Sequence, residues 1–320
     1  MKIVLDAMGG DHAPEVTVTG GVQAAREFGV EIILVGQEDV IRRELTRHDI
    51  TDMRLSIVHA SQVIEMADKP ASAVKEKKDN QMSVGLGLVK EGRADAFVTC
   101  GNTGGALAAS LFTLGRIPGI RRPALSTVFP TRTGFCFLLD IGANTDWKPE
   151  YLQQFGLMGS IYSQEVLGVA NPRVGLVSIG EEAGKGSIAV REAYDLLEAT
   201  PSLHFIGNVE GKDIPAGLAD VVVTDGFTGN VIIKLSEGVA SLLMQVLEEE
   251  IRRRPLAVAG ALLAQHAFRA VQDRLDYAEY GGGALLGVDG VVIVGHGRSN
   301  AKAVCNAIRV AKQTVEGEVI

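Results

Sequence analysis

Short β-rich runs alternate with amphipathic stretches along most of the chain, and this alternation limits the possible folds more than any other feature. The β-rich runs fall at 2–6, 31–35, 54–59, 95–99, 124–129, 135–140, 173–179, 203–207, 220–224 and 288–294. Amphipathic stretches lie between many of them, at 14–28, 38–47, 80–91, 103–114, 149–166, 186–199 and 298–317. Val4-Leu5 and the 135–139 run are nearly continuous in apolar residues, as strands are when helices cover both faces of a sheet. The pattern predicts an α/β fold built on a three-layer, doubly wound sheet. Pro14 suits the first turn of its helix, where a missing N–H costs nothing. No repeat, low-complexity tract or Pro/Ser-rich linker interrupts the 320 residues, so they read as one unit, 1–320, and not as tethered domains.

One region departs from the alternation. Between 230 and 254, Leu235, Val239, Leu242, Leu243, Val246 and Ile251 recur with a helical period. Pro255 ends that helix, and 256–277 reads as a second. Two long helices without an intervening strand predict a hairpin arm over 230–278, projecting from the body and serving dimerisation. The plainer alternative is an αα-corner packed on the sheet.

Composition removes several function classes. With 31 Lys+Arg against 39 Asp+Glu the net charge is −8, which argues against a general nucleic-acid binder. Cys100, Cys136 and Cys305 lack CxxC spacing, so neither a disulfide scaffold nor a Cys-rich zinc module is expected. The N-terminus reaches Asp6 too early for a signal peptide, and a reducing, cytoplasmic setting is expected. The uncharged 96–115 stretch centres on Thr-Cys-Gly-Asn-Thr-Gly-Gly and reads as strand, polar loop and helix, since glycine backbone and Asn suit lipid poorly.

In open α/β sheets ligands sit beyond the carboxyl ends of the strands, so the loops there carry the chemistry. The first holds Asp6, Gly9, Gly10, Asp11 and His12; its glycines let backbone approach a ligand, and a helix start offers N–H groups to an anion. The second runs through Cys100, Gly101, Asn102, Thr103 and Gly104, and the third from Asp140 through Asn144 to Asp146. The fourth contains Glu181, Lys185 and Gly186, with Lys185 placed to meet a phosphate as a point charge. It is not a Walker loop, because only four residues separate Gly180 from Lys185. Asp225 to Asn230 opens the long helix, and Tyr280-Gly281-Gly282-Gly283 with His296, Arg298 and Ser299 completes the set. Each loop alone is explicable as turn chemistry, and Asp6 could simply cap a helix. Asp6, Asp11, Asp140, Asp146 and Asp225 could also gather round Mg²⁺, but helix capping is the preferred reading, so no metal is expected. His12 and His296 are the histidines flanked by candidate loops; Cys100 reads as a buried small residue rather than a nucleophile.

The assembled motifs, DAMGGDHAP (6–14), GNTGG (101–105), GANTD (142–146), GEEAGKG (180–186), DGFTGN (225–230), YGGGALLG (280–287) and HGRS (296–299), resemble those of the bacterial phosphate acyltransferases. These are the acyl-ACP:phosphate acyltransferases of phospholipid synthesis, and the resemblance covers essentially the whole chain. Departures are slight: Gly105 stands where a small residue commonly follows GNTG, and Gly283-Ala284 stands where Ala-Pro is frequent. The resemblance implies a fold similar to isocitrate and isopropylmalate dehydrogenases and to phosphate acetyltransferase, and a homodimer. It implies transfer of a long-chain acyl group from acyl carrier protein to inorganic phosphate, without a cofactor. The acyl phosphate would pass to a membrane glycerol-3-phosphate acyltransferase.

On that basis Lys185 and the Gly-rich helix starts are expected to hold phosphate, and Asn102, Asn144 or Asn230 to face the oxyanion. His12 or His296 would assist the thiol leaving group, with Asp225 in the same constellation and no covalent acyl-enzyme. The hairpin turn combines Arg252, Arg253 and Arg254 with Leu256, Val258, Leu262 and Leu263, a candidate contact with an anionic membrane surface. Arg121/Arg122 and Arg42/Arg43 are candidate docking points for the acidic carrier. Three rival readings remain: a nicotinamide-dependent decarboxylating dehydrogenase, an acyl-carrier binding protein, and an acyltransferase acting on small CoA thioesters.

Overall fold

The computed structural model of the chain describes residues 1–275 and 277–320. Its strands are β1 (Lys2–Asp6), β2 (Glu31–Gly36), β3 (Leu55–His59), β4 (Ala96–Thr99), β5 (Ala124–Thr131) and β6 (Gly134–Leu139). They continue with β7 (Arg173–Val177), β8 (His204–Val209), β9 (Val221–Val223), β10 (Gly282–Leu286) and β11 (Val291–Gly295). The first helices are α1 (Glu15–Phe28), α2 (Glu38–Leu45), α3 (Pro70–Glu76), α4 (Gln81–Lys90), α5 (Thr103–Thr113) and α6 (Pro149–Glu165). Then come α7 (Ile188–Glu198), α8 (Asp213–Ala216), α9 (Gly226–Arg252), α10 (Pro255–Leu263), α11 (Gln265–Leu275), α12 (Tyr277–Tyr280) and α13 (Ala301–Glu316).

All eleven strands form one mixed sheet in the order β3-β2-β1-β4-β11-β10-β5-β6-β9-β7-β8. The β3-β2-β1-β4-β11 group is parallel, and so is the β6-β9-β7-β8 group. Antiparallel pairings of β10 with β11 and β5, and of β5 with β6, join the two groups, which therefore run in opposite senses. Helices cover both faces. One core holds Ile3, Leu5, Ile32, Phe137, Phe155 and Ile308 under α1, α6 and α13; the other holds Val4, Met82, Leu86, Phe97 and Val292 beside α4 and α5. Among the described residues, five helices begin at an Asn, Ser or Asp whose side chain accepts a first-turn N–H: Asn80, Asn102, Ser187, Asp225 and Asn300. Each such cap stabilises its helix by about 1 kcal/mol.

Three departures from the sequence pattern have physical causes. β10 was not expected, because Gly282 and Gly283 are poor strand formers; a Cβ on Gly283 would lie 1.8 Å from the Ser126 carbonyl oxygen, so only glycine fits the close β10–β5 approach. α3 starts at Pro70 in a segment to which the sequence pattern assigned no element. The helix expected over 256–277 is instead α10, α11 and α12, and its Asp276 lies outside the described residues.

α9 is the longest helix described, and only Gly226 and Gly229 in its first turn are buried. By length and composition it could cross a membrane, and none of its apolar window is buried within the chain.

Candidate active site

A cavity of about 500 Å³ opens where the two strand groups meet. Thr103 enters it from the loop after β4, and Gly295, His296 and Gly297 from the end of β11. Gly142 and Thr145 come from the loop after β6; Gly226, Phe227 and Asn230 come from the helix that follows β9. Tyr280 to Gly283 and Thr127 with Val128 close it along β10 and β5. Strand ends of both groups thus serve a single space, which the opposed sense of the groups does not suggest.

Its far wall is one face of α9. Phe227, Asn230, then Ile233 and Lys234 side by side, and Glu237 recur every three or four residues, the spacing of neighbours on a helix surface. The start of α9 is seated on the 140–144 loop. A Cβ on Gly226 would lie 2.6 Å from the Asn144 carbonyl oxygen, and one on Gly229 only 1.9 Å from that of Asp140. Both motif glycines are therefore explained by close backbone approach.

Asp140 organises the loop beneath. Its fully buried carboxylate accepts from the backbone N–H groups of Leu125, Gly142, Ala143 and Asn144 and from Asn144 Nδ2, at 2.7–3.1 Å. Burial pushes its pKa up, opposed by those hydrogen bonds. Asn144 Nδ2 also donates to the Pro123 carbonyl at 2.7 Å, so this amide ties loop to strand and does not enter the cavity. Asn102 is committed in the same way. Its Nδ2 donates to the carbonyls of Glu65, Met66 and Asp68, and its Oδ1 caps α5. Asp225 caps α9, accepting from Phe227 N, Thr228 N and Thr228 Oγ1.

His296 is half-buried on the cavity wall. Its Nδ1 accepts the Arg298 backbone N–H at 3.1 Å, which leaves the neutral ring's proton on Nε2. Burial lowers the imidazole pKa from its usual 6.5; Glu237 opposes this, while Arg298 and Lys234 reinforce it and Asp11 counters. The neutral, donating ring is the dominant form at neutral pH.

Behind His296 three loops are knotted together. Asp11 N donates to the Gly297 carbonyl at 2.8 Å, and Gly9, Gly10, His12, Cys100 and Ser299 enclose a space with no room for water. Asp6, wholly buried, accepts from Thr99 Oγ1 at 2.7 Å and Met8 N at 3.0 Å, and burial raises its pKa to about 6. Cys100 is equally closed off, its thiol pushed up to about 11 by burial. A protonated thiol sealed from the cavity is a poor nucleophile.

Of the expected site residues, Thr103, Asn230 and His296 line the cavity. Asp6, Gly9, Gly10, Asp11, His12, Asn102, Gly104 and Ser299 do not line it but belong to the adjoining segments, Asn144 and Asp225 hold the 140–144 loop and the start of α9, and Asp146 is exposed in the loop after β6. Lys185, Glu181 and Gly186 do not line it. Lys185 is exposed in the β7–α7 loop, on the sheet edge shared with the loops after β6 and β9. Lys234 and Glu237 were missed, although both lie at helical spacing from Asn230 in a segment already read as helix.

Among the described residues, the strand-end aspartates do not bring three ligand atoms within 4.8 Å of one another. Among the described residues, only Glu181, Glu210 and Asp213 bring three ligand atoms within 4.8 Å of one another. Lys212 already contacts both Glu181 and Glu210 there.

A family model described as "Fatty acid synthesis protein" matches residues 1–320. The phosphate acyltransferase of Dictyoglomus turgidum is 50% identical over 320 residues, covering 100% of this chain and 95% of that protein. That of Heliobacterium modesticaldum is 53% identical, covering 100% and 96%. Among solved structures, the EutD phosphotransacetylase of Staphylococcus aureus aligns over 98% of this chain and 94% of its own, with TM-score 0.63 and 18% identity. A 4-hydroxythreonine-4-phosphate dehydrogenase of Klebsiella pneumoniae aligns over 98% and 99%, with TM-score 0.56 and 14% identity. At these identities the structural likenesses establish the fold alone.

Proposed function

The chain belongs to the phosphate acyltransferase family, and from that premise we propose that its cavity joins a fatty acyl thioester to inorganic phosphate. The protein is an acyltransferase of fatty-acid and phospholipid synthesis that moves the acyl group of acyl-ACP to phosphate. The observation that carries the site assignment is the cavity itself: one space receiving both strand groups, walled by an imidazole, an ammonium, a carboxamide and glycine backbone.

The chemistry requires little proton transfer. Phosphate is already largely anionic near neutral pH, by analogy with a second phosphomonoester pKa of about 6. Its oxygen attacks the thioester carbonyl carbon, the C–S bond then breaks, and the carrier thiolate leaves. A thiol pKa of about 8.5 makes that departure easy. The cavity must aim the nucleophile and stabilise the carbonyl oxygen as it gains charge. His296 Nε2–H and the Asn230 amide are the donors we assign to that oxygen. Lys185, outside the wall, raises the local concentration of anions at the approach. His12, Asp11, Asn102, Asn144 and Asp225 act by holding loops and helix starts in place.

Residues 1–320 act as one catalytic unit, with α9 and α10 as its arm. Leu235, Val239, Leu242 and Val246 are 45–64% exposed and spaced by four, three and four residues, the seam of a paired helix. A second copy covers that seam in a homodimer. At the turn, Leu256 and Leu263 are 89% and 88% exposed. Arg252, Arg253 and Arg254 each pair with a glutamate of the 248–250 run, so their charge is locally balanced. The tip therefore meets the membrane of a cytoplasmic, peripherally bound enzyme chiefly by apolar burial. There it delivers acyl phosphate to a glycerol-3-phosphate acyltransferase.

The decisive assay is phosphate-dependent release of the carrier thiol from palmitoyl-ACP. Release only when phosphate is added supports the reading; binding without release would make the protein an acyl-carrier binder instead.

A further inference from the structure

The cavity contains a cation that the sequence motifs did not single out. Lys234 is the only Lys or Arg among its described lining residues, and Lys185 is not one of them. It stands one turn beyond Asn230 on the α9 face that forms the wall, and its charge acts on His296. Lys234 makes no ion pair among the described residues. Glu237, the only carboxylate among the described lining residues, lies three positions on along α9 and makes none there either.

Lys234 is exposed, and what sets it apart from the other lysines is its place on the cavity wall. The 248–254 segment of the same helix pairs its arginines with neighbouring glutamates. Lys234, with a glutamate three positions on, is unpaired and turned to a wall that also carries Asn230 and His296. An ammonium with three donors suits the oxygens of a tetrahedral dianion. An acyl chain alone would need none of them.

We propose that Lys234 is the residue that holds inorganic phosphate in the cavity, beside the Asn230 and His296 side chains that face the thioester carbonyl oxygen. Glu237 opposes it, weakening phosphate binding enough for the anion to exchange. The inference rests on the acyl-transfer reading above and deepens it by naming the phosphate subsite. The acyl carrier's own phosphodiester shares this chemistry, so the two sources must be separated.

The test is steady-state kinetics with palmitoyl-ACP and inorganic phosphate varied independently. Lys234→Gln is expected to raise KM for phosphate about ten- to a hundredfold, the range for losing a hydrogen bond to a charged group. KM for palmitoyl-ACP should stay within about twofold, and Lys234→Arg should restore most of the phosphate affinity. Glu237→Gln should lower KM for phosphate. An unchanged phosphate KM in Lys234→Gln, a rise confined to palmitoyl-ACP, or a rise in Glu237→Gln would each overturn the proposal. Should Lys234→Gln fail to fold, acetylation footprinting of the wild-type protein with phosphate alone gives the answer. Protection of Lys234 supports the subsite, and undiminished labelling refutes it. Wild-type protein inactive on palmitoyl-ACP would refute the acyl-transfer reading instead, while footprinting would still report on Lys234.

Discussion

Replacing Gly229 by Ala separates helix stability from cavity geometry. In an isolated helix the change would be favourable by about 1 kcal/mol. Here the added Cβ would lie 1.9 Å from the Asp140 carbonyl oxygen, and that oxygen belongs to backbone. A carbon–oxygen contact needs about 3.3 Å, so the start of α9 must lift by about 1.4 Å from the 140–144 loop. Overpacking of this kind costs about 1–3 kcal/mol. The lift moves Asn230, Ile233 and Lys234 with the helix, and a misplacement of about 1 Å in such a site costs about a hundredfold in rate. Gly87→Ala is the control: it lies in α4, where a Cβ meets nothing within 4 Å. Acyl phosphate formation should fall about a hundredfold in Gly229→Ala, with a lower melting temperature. Gly87→Ala should keep full activity and melt slightly higher. A Gly229→Ala enzyme with wild-type kinetics would refute the claim that α9 is seated on this loop to shape the cavity.

Three further outcomes follow from the same geometry. Asp6 is raised to about 6 in the fold against 3.8 in the free side chain, so its protonated form favours folding and stability is lost as pH rises through roughly 4 to 6. The difference is worth about 3 kcal/mol; Asp6→Asn should remove that part of the slope in chemical denaturation at pH 4 and 6.5, and an unchanged slope would contradict it. Cys100→Ala should keep turnover and form no acyl-protein, since the thiol is buried with its pKa near 11; complete loss of turnover in a folded variant would reinstate a covalent route. In vesicle flotation, Leu256→Asp/Leu263→Asp should abolish binding to neutral and anionic vesicles alike; binding that survives would mean the tip is not the contact.

Much of the architecture was legible in the sequence because strands buried on both faces must be apolar throughout. Ile3 to Leu5 and Val221 to Val223 are wholly or almost wholly buried, and their runs stand out. Capping was expected of the strand-end aspartates, and Asp225 does cap α9, whereas the caps at Asn102 and Asn300 were not anticipated. What escaped was set by tertiary contact. β10 is a strand because Gly283 can meet Ser126, which no propensity anticipates.

The site was read at the level of loops and less well at the level of side chains. Asn102 and Asn144 drew notice as polar residues in glycine-rich loops, yet backbone carbonyls that only the fold brings near consume their amides. Lys234 and Glu237 lie in a helix whose pattern looked like a dimer seam, and their relevance depends on which face of α9 meets the sheet. Lys185 stood out by its glycine neighbours, and the fold leaves it outside the wall.

A single-turnover reaction of palmitoyl-ACP with phosphate bearing ¹⁸O at all its oxygens tests the central claim most directly. The account predicts palmitoyl phosphate retaining every heavy oxygen, appearing with the same rate constant as the free carrier thiol and without acylated protein. Thioester that persists in the presence of phosphate, or acyl groups trapped on the protein before any acyl phosphate forms, would contradict it.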